Sequence, residues 1–96
     1  MLNTIISAIN NKSVISFTYD GYSRVVEPHA VGLSRAGNDV LRCFQTEGGH
    51  VKPHHDWDLC VLSKITNLSL TGTSFSCART GYARGDKGMS RIYAEI

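Results

Sequence analysis

Apolar residues at the start of the chain recur at helical spacing. Leu2, Ile5, Ile6 and Ile9 form one stripe against Asn3, Ser7 and Asn10, which predicts a short helix over residues 2–12. Asn10, Asn11 and Lys12 close it, because adjacent asparagines favour turns over helix continuation. A helix this short is marginal alone, so it must dock on the rest of the fold. From residue 14 the period falls to two: Ile15, Phe17 and Tyr19 alternate with Ser16 and Thr18. Asp20-Gly21 is a hairpin signal, since glycine accepts positive φ freely. Residues 22–33 then read as a long second strand, Ala36-Gly37-Asn38 as a turn, and residues 39–46 as a third strand. Pro28 cannot donate a ladder hydrogen bond, so the second strand should bulge, bend or lie at an edge there.

Glu47-Gly48-Gly49 reads as a third turn, and residues 50–56 are polar and irregular. Trp57, Leu59 and Val61 alternate with Asp58, Cys60 and Leu62, which predicts a fourth strand with both faces largely buried. Ser63-Lys64-Ile65 suits a tight turn, and residues 68–71 a fifth strand ending at Gly72. The expected fold is mainly β (α+β). It has an N-terminal helix (1–13), a small five-stranded antiparallel β-barrel, closed or nearly so (14–72), and a basic C-terminal extension (73–96). In that extension Met89, Ile92 and Ile96 suit one face of a closing helix or strand equally.

Ninety-six residues allow one domain, which buries about 60–65% of its unfolded surface. A net charge of +2 is too mild for histone-like binding, so any nucleic-acid contact must come from local clustering. Cys43, Cys60 and Cys77 are odd in number and lack CxxC spacing, which favours a reducing, cytoplasmic compartment. Without a basic leader or an apolar run of roughly 18–20 residues, the chain is expected to be soluble and to have no membrane partner.

The candidate chemistry is basic. Arg24 and Arg42 fall on neighbouring strands, Lys64 follows the fourth, and Arg79, Arg84, Lys87 and Arg91 cluster in the tail with only Asp86 opposing them. Guanidinium forks match phosphate oxygens, and Tyr22 and Tyr82 could stack on bases. The plainer alternative is solvated charge and local ion pairs, such as Arg84 with Asp86. His29 either donates to a ligand phosphate beside Glu27 or satisfies a polar position in the barrel mouth. Glu27 itself suits a turn tether or a pair with Arg24 or Arg42. Gly81, Gly85 and Gly88 fit neither phosphate-loop pattern and agree better with a tail that wraps the barrel. His50, His54 and His55, even with Cys43, Cys60 or Asp56, lack structural-zinc spacing, so no metal or other cofactor is expected. There is no nucleophile elbow and no paired carboxylate, so no enzyme is expected.

Four segments carry a resemblance: Ile15-Ser16-Phe17-Thr18-Tyr19, Arg24 to Pro28 (RVVEP), Asn38 to Phe44 (NDVLRCF) and Trp57 to Ile65 (WDLCVLSKI). Over residues 2–71 the chain resembles the WYL domain family, small Sm-like β-barrels of bacterial regulators and phage-related proteins. It departs at Asp39-Val40-Leu41, which stands where the family has Trp-Tyr-Leu. It departs again at Asp58 and Val61, where many members place arginines. The resemblance implies a non-enzymatic, regulatory ligand-sensing module that binds a nucleotide or single-stranded nucleic acid through arginines. The expected phosphate ligands are Arg24, His29, Arg42, Lys64, Arg79, Arg84 and Lys87, with Tyr22 and Tyr82 on base or sugar and the tail completing the site. Alternatives are a protein-interaction or oligomerisation module, as a homo-oligomer or with a partner regulatory protein, and a phage-type sponge for nucleotide second messengers. The chain has no room for a helix-turn-helix, so it would act as a lone sensor, a sequestering protein or a partner subunit.

Overall fold

The helical stripe forms α1 (Leu2–Asn11), which buries Ile5, Ala8 and Ile9 and ends at Lys12 in the left-handed conformation. The computed structural model describes residues 1–48 and 56–96. Six strands follow in them: β1 (Ser13–Tyr19), β2 (Tyr22–Ser34), β3 (Asp39–Gly48), β4 (Trp57–Val61), β5 (Thr66–Ser74) and β6 (Met89–Glu95). All pairings are antiparallel, in the order β4-β3-β2-β1-β5, with β6 added to β2. Ile15, Phe17, Val26, Val31, Leu41, Cys43 and Cys60 form the core beneath α1. The β1–β2 turn carries positive φ at both Asp20 (51°) and Gly21 (80°), matching the right-handed strand twist.

The thirteen-residue β2 serves two neighbours on one side. It pairs with β1 through residues 22–26 and with β6 through residues 30–34. Pro28 lies in the interval between them, beside a register shift against β3, so its missing N–H removes nothing from either ladder. The proline therefore marks a bulge in a central strand and not a sheet edge.

Several sequence expectations need correction. The tail forms a sixth strand, and the sheet is not closed by hydrogen bonds. At the open side, Val61 donates its amide to the Tyr19 hydroxyl at 3.0 Å. The expected tight turn is a one-turn 3-10 helix (Leu62–Lys64), closed by the Ile65 amide on the Leu62 carbonyl, and it joins β4 to β5. A side chain thus bridges a gap that a β4–β5 ladder would otherwise fill. In β4 only Cys60 is buried, and Leu59 remains 38% exposed, because the strand is an edge. β3 extends through the expected turn to Gly48, and β5 extends beyond Gly72 to Ser74.

The β2–β6 junction depends on Gly32. A Cβ there would overlap the backbone carbonyl oxygen of Arg91. Gly32→Ala is therefore expected to cost about 1–3 kcal/mol by forcing β6 off β2. The melting temperature should fall by about 4–8 °C per kcal/mol. Thermal unfolding followed by circular dichroism checks this.

Candidate functional site

Between β5 and β6 the chain runs across the face formed by β2, β3 and β4, and His29 is the peg that holds it there. The His29 side chain is fully buried. The Arg79 backbone amide donates to Nε2 at 3.1 Å, so Nε2 must be the unprotonated nitrogen and Nδ1 donates to the Glu27 carbonyl at 2.8 Å. Three aromatic rings enclose the imidazole: Trp57 at 4.8 Å, Tyr82 at 5.0 Å and Phe75 at 5.5 Å. Burial holds its pKa below the usual histidine value, against an opposing contribution from the Glu27 carbonyl. Both nitrogens being engaged, His29 has none to offer a ligand phosphate. Of the two sequence readings, the satisfied polar position is the one this geometry fits.

The candidate arginines face carboxylates of the same chain. Arg79 grips Glu27 at 2.7 and 2.9 Å, with its guanidinium 4.7 Å above the Phe44 ring. Arg42 grips Asp86 at 2.7 and 3.2 Å. The hydrogen bond from Arg42 lowers the Asp86 pKa, and the same bond raises that of Arg42. Arg84 pairs with Glu95 at 3.2 Å and not with Asp86. Arg24 is only 4% exposed, donates to Asp58 at 3.2 Å and lies 5.1 Å from the Tyr19 ring centre. Arg24 and Arg42 do sit on neighbouring strands, but Arg24 is opposite Gly48 while Arg42 is opposite Ala30. At about 3.3 Å per residue they are roughly 20 Å apart along β2, which rules out one shared phosphate. Lys64 is exposed on the 3-10 turn and Tyr22 in the β1–β2 hairpin.

The glycine-rich tail also turns its amides inward: Gly85 donates to Glu95 and Gly88 to Asp86. Cys43 and Cys60 are buried in the core, whereas Cys77 is exposed. Among the described residues no cluster of His, Cys, Asp or Glu could hold a metal ion. His50, His54 and His55 lie outside the described residues.

These contacts leave a cleft that combines flat aromatic walls with charge. It has a volume of about 290 Å³ and is lined chiefly by Arg42, Trp57, Gly81, Tyr82, Asp86 and Lys87. The Trp57 and Tyr82 rings are nearly parallel, 20° apart, with centroids 6.2 Å from each other. Trp57 donates its indole N–H to the Thr80 carbonyl at 3.3 Å, which fixes the ring. Arg35, outside the lining itself, donates to the Lys87 carbonyl at 3.2 Å. Of the residues expected on a ligand, the structure gathers Arg42, Tyr82 and Lys87 here and leaves Arg24, His29, Lys64, Arg79, Arg84 and Tyr22 outside the cleft's lining.

Trp57, Arg35 and Asp86 were not singled out from sequence as site residues. The usable signal was Trp57, the chain's one tryptophan, at the start of a short strand. No protein-family model, curated protein or solved structure matches the chain.

Proposed function

We propose that this chain is a non-enzymatic binding module for a nucleotide, free or as one unit of a single-stranded nucleic acid. The observation that carries this reading is the parallel Trp57–Tyr82 wall beside Arg42 and Lys87 in one cleft. Aromatic faces accept any base by stacking, at about 1–3 kcal/mol per base. The volume of about 290 Å³ lies at the small end of ligand sites, which suits one nucleotide at a time. Arg35, Lys87 and the outer side of Arg42 take the phosphate in this scheme. The open sheet order, with a short helical turn linking its two outer strands, supports a WYL-type, Sm-like reading of the fold. The role that follows is regulatory: sensing or sequestering a nucleotide in the cytoplasm.

Asp86 competes with the phosphate for Arg42. Asp86→Asn keeps the shape and removes the competing charge, so nucleoside monophosphate affinity should rise by up to about tenfold, one charge-assisted hydrogen bond. Lys87→Ala and Arg35→Ala should weaken it, and affinity in the native chain should fall as salt rises. Calorimetric titration of the three variants at two salt concentrations is the check. Unchanged affinity in all of them would remove the cleft's rim from the site.

A further inference from the structure

Among the described residues β5 pairs only with β1, and no lysine or proline blunts its other edge. Its nine residues, TNLSLTGTS, carry no charge and no proline, and all but Leu68 are exposed. α1, ten residues long, is uncharged as well. A groove of about 350 Å³ lies between them, lined by Asn3, Ser7, Ala8, Asn11, Ser13 and Leu70. Edge strands are ordinarily blunted by lysine, proline or a covering element, and interface centres are depleted of charge.

Leu70 indicates what covers this edge. It pairs with Ile15, which is fully buried, and so belongs to the same helix-covered face, yet it is 57% exposed because the sheet ends beside it. It is also the middle residue of β5. A two-fold axis through Leu70, perpendicular to the sheet, sets Leu70 against Leu70 of a second copy and Ser69 against Thr71. Leucine thus meets leucine and hydroxyl meets hydroxyl, the self-complementarity that an isologous contact requires. Left-handed positions at Asn67 (φ 55°) and Gly72 (φ 88°) bend the strand on either side, so the new ladder is centred between them. Although each chain carries +2, no like charges meet along the seam.

We infer that the chain forms a two-fold dimer by antiparallel β5–β5 pairing, with the exposed leucine on the axis. Light scattering coupled to size exclusion should show a concentration-dependent dimer. Leu70→Lys should yield a monomer with an unchanged melting temperature at low protein concentration. In a Cys77→Ser background, Leu70→Cys should form a disulfide-linked dimer on mild oxidation, because directly opposed Cα atoms lie about 4.5–5.5 Å apart. Thr66→Cys should not, since its two copies would be roughly 26 Å apart. A monomer at every concentration, a dimer that survives Leu70→Lys, or equal cross-linking through Thr66 would each overturn the inference.

Discussion

His29→Ala is expected to lower the melting temperature by about 12 °C or more. The substitution removes a fully buried ring from among Trp57, Phe75 and Tyr82, and it strips partners from the Glu27 carbonyl and the Arg79 amide. Deleting a large buried ring costs about 3–5 kcal/mol, and each orphaned polar group adds to that. At about 4–8 °C per kcal/mol even the low figure is a large drop for a chain of this size. The loss should be concentrated in the segment between β5 and β6. Amide exchange there should speed up before the β1–β2 hairpin is affected, which mass spectrometry can follow.

The same residue sets a pH dependence. Burial keeps the folded-state pKa of His29 below its ordinary value of 6.5, so the unfolded chain takes up a proton first as pH falls. Its contribution is fully present above about pH 6.5 and is lost as pH drops toward the folded pKa. Melting temperature measured between pH 8 and pH 5 should therefore decline on the acid side. His29→Gln should flatten that part of the curve while being less stable throughout.

Trp57→Ala should have the largest effect on binding. Losing one stacked base costs about 1–3 kcal/mol, or roughly 5- to 150-fold in affinity. Trp57 also touches His29 and Phe44, so the alanine variant will be less stable as well. Trp57→Phe separates the two effects. It keeps a stacking face and should retain most of the affinity while losing only the indole bond to Thr80. If affinity falls as far with phenylalanine as with alanine, stacking is not the source of binding.

Local signals carried the helix and the first hairpin. The α1 stripe and Asp20-Gly21 act within a few residues, and the structure places both where the pattern does. The sixth strand was undecided because Met89, Ile92 and Ile96 suit either period. What favours a strand is Gly32, nearly sixty residues earlier, whose bare backbone lets β6 approach. The sheet is not closed by strand hydrogen bonds, and what spans its open side is a contact between Tyr19 and Val61, separated by 42 positions, that no local pattern encodes.

Arginine partners were hidden for the same reason. Arg24–Asp58, Arg42–Asp86 and Arg79–Glu27 join residues 34, 44 and 52 positions apart. A count of basic residues sees the cations of the tail but not the carboxylates they meet in the fold. Once those pairs are in place, the broad basic surface shrinks to a cleft with aromatic walls, lined by Arg42 and Lys87.

The chain's single tryptophan lies in that cleft, so its fluorescence reports on the central proposal directly. Titrating the protein with nucleoside monophosphates and short single-stranded oligonucleotides should quench Trp57 saturably, with one nucleotide unit per chain, and more weakly at high salt. Fluorescence unchanged by every nucleotide and oligonucleotide up to millimolar concentration would contradict the account.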